Sequence, residues 1–310
     1  MRNIIITGAG GMVATELAFN LLKCEDISLY LLSTDPQRLE PRYEDRRRVR
    51  CFSLEDFSSF AGQRNLEFDA LIHTAFARSE DGKSLMSSLE YQKSVLELVL
   101  NYHIHSFVNI SSQGVYGMKN PPLWNEDSPV TPESMYALAK SASEVITEAA
   151  LNQKSDVNYT SIRLSSVCEN ARFLSIFVKN ALAGISIKVF GGSQKCSFID
   201  VRDAAEALTA LIDSASEVKF APVYNLGTGK MHSVQELAEI VKKVGTERYG
   251  LDVKLEQVPS DLSYEVGMDS GRFMETFSWS PRMSIEDMVI SLFELHLGGG
   301  NLPISFTFVH

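Results

Sequence analysis

Residues 3 to 7, Asn-Ile-Ile-Ile-Thr, run straight into Gly8-Ala9-Gly10-Gly11 and then into a helical pattern carried by Leu17, Ala18, Leu21 and Leu22. No other stretch restricts the fold so tightly. Three consecutive β-branched residues without polar alternation suit a strand buried on both faces, which belongs in a parallel sheet. Such a strand needs a crossover, and glycines at its end let the backbone turn tightly into the crossover helix. The same turn lets main-chain amides approach a pyrophosphate at the helix start. A tight turn with no ligand is the bland alternative. Ala14 stands where a third glycine often stands and still permits close helix packing.

The pattern repeats along the chain. Strands are predicted at Ser28–Leu32, Val49–Phe52, Ala70–His73, Ser106–Ile110 and Tyr159–Leu164, and helices at Thr15–Leu22, Leu85–Tyr102 and Ser134–Leu151. Strand alternating with helix implies an α/β fold built on a doubly wound parallel sheet of the Rossmann type. After Leu164 the rhythm changes. Helices are expected at Ala171–Ala183, from Val201 through Leu211, and at Ser233–Val244, where Ser233 and Glu236 are spaced as a capping box. Short strands are expected at Ile187–Phe190, Ser197–Val201 and Val223–Leu226. The expected division is a dinucleotide-binding domain over residues 1–166, with a returning segment near 195–226. Residues 167–194 and 227–310 would form a smaller C-terminal α/β substrate domain with Phe273, Met274, Phe277 and Met288 in its core. The tail from Gly298-Gly299-Gly300 onward has no evident partner and is expected to be mobile.

A formal net charge of −10 argues against nucleic acid or an anionic membrane as the main partner. The basic run Arg46-Arg47-Arg48 follows Glu44 and Asp45 and reads as a solvated loop. The four cysteines, Cys24, Cys51, Cys168 and Cys196, form no Cys-x-x-Cys pair and no histidine cluster joins them, so no metal is expected. They read as reduced thiols of a cytoplasmic protein. The apolar run at the N-terminus is too short for a signal-peptide core or a membrane span. His103 and His105 sit around a helix end and read as surface or cap residues.

Tyr136 and Lys140 lie four apart in Tyr-Ala-Leu-Ala-Lys, a spacing that stacks two side chains on one helix face. An ammonium beside a phenol favours the phenolate and makes the tyrosine a usable general acid or base. Many helices carry this spacing by chance, so its meaning depends on its neighbours. Ile110-Ser111-Ser112-Gln113-Gly114-Val115-Tyr116-Gly117 ends a strand with hydroxyls at the sheet's carboxyl edge, and His73-Thr74-Ala75-Phe76 ends the preceding strand there. At the end of the second strand stand Ser33 and Thr34, with Asp35 one step late and Arg38 nearby. Hydroxyls with an arginine suit a 2′-phosphate, whereas Asp35 suits a ribose hydroxyl; NAD and NADP both stay open, with a lean to NADP.

With Glu126-Asp127 and Pro132-Glu133-Ser134 ahead of Tyr136, the chain resembles the extended short-chain dehydrogenase/reductase superfamily, in its NAD-dependent epimerase/dehydratase branch, which handles mainly nucleotide sugars. The resemblance continues through Arg163-Leu164-Ser165-Ser166-Val167, Ser197-Phe198-Ile199-Asp200-Val201-Arg202-Asp203-Ala204, Tyr224-Asn225-Leu226-Gly227-Thr228-Gly229 and Trp279-Ser280-Pro281. It implies that Ser112 hydrogen-bonds the reacting oxygen, Tyr136 exchanges its proton, and Lys140 binds the nicotinamide ribose while lowering the phenol pKa. It places cofactor contacts at Gly8, Gly10, Gly11, Met12, Val13, Ser33, Thr34, Arg38, His73, Thr74 and Ala75, together with Tyr136 and Lys140. Substrate contacts fall to Ser112 and Gln113. A homodimer through the two long helices is also implied.

The departures bear on the substrate. Ser94-Val95-Leu96-Glu97-Leu98 replaces the family's Asn-Val-x-Gly-Thr, and Phe76 replaces an alanine and narrows the nicotinamide pocket. Cys196 stands where an arginine commonly grips a nucleotide diphosphate; Lys195 beside it offers only a point charge. A second arginine near Pro259-Ser260-Asp261 is not evident, leaving Arg172 and Arg272 as substitutes that also have ordinary surface readings. Cys168 lies where a tyrosine is frequent and reads as packing. Three functions follow: an epimerase or dehydratase acting on a sugar, a NADPH-dependent ketoreductase for a smaller carbonyl compound, or a cofactor-sensing protein without turnover. The Ser112, Tyr136 and Lys140 set argues against the third.

Overall fold

The structure, a computed structural model, describes residues 1–45, 47–63, 66–154 and 156–298. Seven parallel strands form the central sheet: β1 (Arg2–Thr7), β2 (Ile27–Leu32), β3 (Val49–Phe52), β4 (Ala70–His73), β5 (Ser106–Ser112), β6 (Asn158–Leu164) and β7 (Val223–Leu226). Their order across the sheet is β7-β6-β5-β4-β1-β2-β3. The chain therefore winds one way from β1 and then the other. Thr7 at the end of β1 pairs in register with Leu32 on one side and His73 on the other, and the crevice beyond these ends is where such sheets bind ligands.

Successive residues of a strand face opposite sides, which explains the uninterrupted apolar run of β1. Ile4 and Ile6 face helices α1 (Met12–Leu21) and α6 (Val201–Ser214), packing among Leu17, Leu21, Leu208 and Leu211. Ile5 faces the other layer, with Leu71, Phe107 and residues of α2 (Leu54–Gly62) and α3 (Gly82–Asn101). Burial of each such side chain contributes roughly 1.5–3 kcal/mol. Helix α4 (Met135–Leu151) lies beside α3.

Local capping sets the boundaries. Helix α3 starts one turn earlier than its apolar pattern suggests because Asp81 accepts the Ser84 amide at 2.9 Å. Helix α2 was absent from the expected elements. Ser53 caps it by accepting the Asp56 amide at 3.1 Å, and only Phe57 and Ala61 are buried, too few to show a period in the sequence. At the start of α4, Ser134 accepts the Ala137 amide at 3.1 Å. In the basic loop, Arg48 pairs with Asp45 at 2.7 Å and donates to the carbonyls of Leu22 and Cys24. Arg46 and the tail beyond Gly298 lie outside the described residues.

A second core joins α5 (Arg172–Leu182), α7 (Val234–Tyr249) and α9 (Ile285–Leu297) through Leu174, Val178, Leu237, Val241, Val289 and Leu292. Met288 belongs there, as expected. Phe273 and Phe277, on α8 (Gly271–Phe277), do not. Their rings pack 6.0 and 5.1 Å from that of Tyr224 on β7, inside the core of the large sheet. Strand β7 is a sheet edge, and α8 covers it. Met274 packs at the margin of that same core.

A buried acid lies where the chain leaves β6. Glu169 is 2% exposed; one oxygen accepts the Val201 amide at 3.4 Å and the other has no partner. Burial, and next the charge of Asp200, push its carboxyl well above the ordinary range. An acid raised in this way holds its proton in the folded state after losing it in the unfolded state. Its contribution to stability therefore falls as pH rises from the ordinary carboxylate range towards the raised value. Glu169→Gln keeps the shape and removes the titration. The melting temperature of this variant relative to wild type is expected to be higher at about pH 8 than at about pH 5. A difference independent of pH would mean that the carboxyl does not titrate in this range.

Candidate active site

The glycine turn after β1 is dictated by a close approach. Gly8 has φ +63°, and a Cβ there would lie 2.7 Å from backbone atoms of Ala75. Thr74 donates its hydroxyl to the Thr7 carbonyl at 2.8 Å, holding the ends of β1 and β4 together. Two cavities open above this junction. One of about 500 Å³ is lined by Gly8, Gly10, Gly11, Ser33, Thr34 and Ala75, with serines of α3 on its far side. The other, about 580 Å³, is lined by Gly11, Met12, Val13, Thr74, Ser112, Gln113, Tyr136 and Lys140. Gly11 and Phe76 belong to both.

Ser112 ends β5 and Tyr136 opens α4, and both line the larger cavity. Lys140, one turn further along, is 3% exposed. Its Nζ donates to the Ile110 carbonyl at 2.7 Å and lies 3.9 Å from the centroid of the Phe76 ring. Burial draws this ammonium down to about 7, against the charge of Glu144. The Tyr136 phenol moves up, chiefly by burial, while Arg78 and the Ser112 hydrogen bond pull it back. The Lys140 Nζ points at a carbonyl and a ring, whereas Arg78 and Ser112 are the groups that pull the phenol down.

Several neighbours of the site were given no individual role by sequence reasoning. Glu80 accepts the amides of Met135 and Tyr136 at 2.8 and 3.4 Å, fixing the start of α4. Glu144 binds Arg163 through two contacts, at 2.8 and 3.1 Å, and accepts from Ser111. Arg163 donates to the Tyr116 hydroxyl at 2.9 Å, which donates to Asn225 at 2.7 Å. Helical spacing signals this role for Glu144, four residues after Lys140 on the same face. Gln113 donates to Ser166 at 2.8 Å and accepts from Ser165 at 3.2 Å, and all three line the larger cavity with Asn170 and Arg78.

Other expected residues lie elsewhere. His73 is 1% exposed and lines neither cavity; its Nδ1 meets Thr7 Oγ1 at 2.8 Å and its ring stacks with those of Tyr91 and Phe107. Burial pushes it down to about 3, so it stays neutral. Arg38 is exposed and lines neither cavity, and Asp35 caps its own short helix by accepting the Arg38 amide at 3.2 Å. Lys195 pairs with Glu265 at 2.9 Å, Arg272 with Asp127 at 2.7 Å and with Glu126 at 3.6 Å, and Arg172 is exposed at the start of α5. None of these three lines either cavity.

A model of the NAD dependent epimerase/dehydratase family matches residues 4–227, a span that carries the glycine turn, Ser112, Tyr136 and Lys140. The chain belongs to this family. It is a family of enzymes whose cofactor is of the NAD type, and this epimerase/dehydratase chain is of the extended short-chain dehydrogenase/reductase kind. It is 25% identical to a dTDP-glucose 4,6-dehydratase of Streptomyces niveus over 73% of its own length and 69% of that protein's. It is 24% identical to the UDP-arabinose 4-epimerase 1 of Arabidopsis thaliana, over 91% and 76% respectively. The fold is shared with the UDP-Glc/GlcNAc 4-epimerase of Campylobacter jejuni, with a TM-score of 0.79 at 23% identity over 95% and 98% of the two chains. Among the described residues no helix is long and apolar enough to cross a membrane.

Proposed function

We propose that this epimerase/dehydratase interconverts an alcohol and a ketone on a nucleotide-linked sugar. One observation carries the reading: Ser112, Tyr136 and Lys140 line one cavity, and that cavity shares Gly11 with the glycine-lined cavity. The residues fit a dinucleotide. Gly8 admits a backbone approach that no side chain allows, and the amides of α1 open at Gly11 without a side-chain cap. Gly8, Gly10, Gly11, Ser33 and Thr34 would hold its adenosine half, and Met12, Val13, Thr74 and Lys140 its nicotinamide half. When bound, the cofactor would supply hydride exchange at the substrate carbon. Tyr136 gives or takes the hydroxyl proton, Ser112 holds the reacting oxygen, and Gln113, Ser166 and Asn170 orient the sugar. The two relatives named above, which act on UDP- and dTDP-linked sugars by their names, support the substrate class.

The lean to NADP rests on the ribose end. Ser33, Thr34 and the serines of α3 line that cavity, and among the described residues no carboxylate does. Dimerisation forms part of the same proposal, supported by Met86, Leu138 and Val145, which stand exposed on α3 and α4. The four cysteines are free, which suits the cytoplasm.

A second reading, a NADPH-dependent reductase of a smaller carbonyl compound, is favoured by the placement of Arg172, Lys195 and Arg272 away from the cavity. Cofactor balance separates the two. With UDP- or dTDP-sugars the expected outcome is sugar conversion with no net change in NAD(P) absorbance. Stoichiometric consumption of NADPH by a small ketone, with no nucleotide sugar converted, would establish the reductase instead.

A further inference from the structure

Phe76 follows β4 where the chain crosses the mouth of the crevice, and among the described residues it is, with Gly11, one of the two that line both cavities. The ring is half-buried and does two things at once. One face covers the Lys140 Nζ at 3.9 Å, a cation–π contact when the amine is protonated. Its relation to Tyr136 is edge-on, with ring centroids 6.2 Å apart. Among the described residues, Gly11 and Phe76 are the two that line both cavities. A dinucleotide spanning both cavities would run beside Phe76, whose ring covers the Lys140 Nζ.

We propose that the Phe76 ring is a partition that the nicotinamide half of the cofactor must displace, so that dinucleotide binding and exposure of Lys140 are one event. The inference rests on the dinucleotide reading above. Its physical basis is a population effect: if the ring lies over Lys140 most of the time, the apparent affinity for the full dinucleotide falls by the fraction of molecules with the ring aside. A nucleotide confined to the adenosine-side cavity carries no such penalty. Phe76 thereby sets how strongly the protein prefers a complete cofactor to its adenosine fragment.

The test is calorimetric titration of wild type, Phe76→Ala and Phe76→Leu with ADP, NAD and NADP. Phe76→Leu keeps apolar bulk but loses the cation–π contact, and it covers the case in which the alanine variant folds poorly. ADP is expected to bind all three proteins within about twofold, while the preferred dinucleotide binds Phe76→Ala about tenfold tighter, with Phe76→Leu between. Unchanged or weaker dinucleotide binding in both variants overturns the partition. A gain shared equally by ADP also overturns it, since the ring would then act on the adenosine side alone. If wild type binds none of the three nucleotides, the cofactor reading itself fails, an outcome distinct from either of these.

Discussion

Tyr136→Phe is expected to lower turnover by about 10²–10⁴-fold, the range that a positioned proton donor or acceptor supplies. Dinucleotide affinity is expected to stay within about twofold of wild type, since the ring that lines the larger cavity and meets Phe76 edge-on is retained. The substitution removes one oxygen and leaves the ring in place. Its effect should therefore fall on kcat. The proton question is set by environment: burial holds the phenol above its ordinary value, while Arg78 and Ser112 act against that. Steady-state kinetics beside a cofactor titration decide the matter. Full activity in the variant would falsify the assignment, and a matching loss of cofactor affinity would make Tyr136 a binding residue instead.

The largest stability effect is expected beneath the site. Arg163 is 6% exposed and binds Glu144, whose side chain is 13% exposed, in a two-point contact. Arg163→Leu leaves the Glu144 carboxylate buried without its countercharge and frees the Tyr116 hydroxyl from its donor. Breaking one side of a buried pair costs about 3–5 kcal/mol. The double replacement, Arg163→Leu with Glu144→Leu, is expected to recover much of that loss, because two apolar residues of similar volume often replace such a pair nearly neutrally. Denaturant unfolding of wild type, both single variants and the double variant forms the cycle. A loss below about 1 kcal/mol in Arg163→Leu would place the pair with solvated surface bridges. Because Glu144 also bears on the charge of Lys140, the same variants should disturb the ammonium above it.

Much of the architecture was legible one segment at a time. The run Ile4-Ile5-Ile6 announced a strand buried on both faces, and the structure places alternate residues in two different cores. Ser134 ahead of Tyr136 marked a helix start, and the spacing of Tyr136 and Lys140 set both on one face of α4. The short helix α2 was illegible because two buried residues show no period. Phe273 and Phe277 were assigned to the wrong core since their aromatic character says only that they are buried, never against what.

The site divides along the same line. Gly8, Gly11, Ser112, Tyr136 and Lys140 meet at the crevice because each is tied to the end of a strand or the start of a helix, and short-range sterics and periodicity place those ends. The availability of a charge follows no such rule. Arg272 is taken by Asp127, 145 residues away in the chain, Lys195 by Glu265, and Asp35 by its own helix start. Local sequence thus determined the strands, the glycine turn and the face of α4 that carries Tyr136 and Lys140, because these follow from backbone geometry over a few residues. Only the tertiary structure decided that Lys140 lies under Phe76, that Arg78 lines the same cavity as Tyr136, and that His73 is core. Electrostatic interactions and burial depend on distance in space, and a contact such as Phe76 with Lys140 exists only after the strand ends have been brought together.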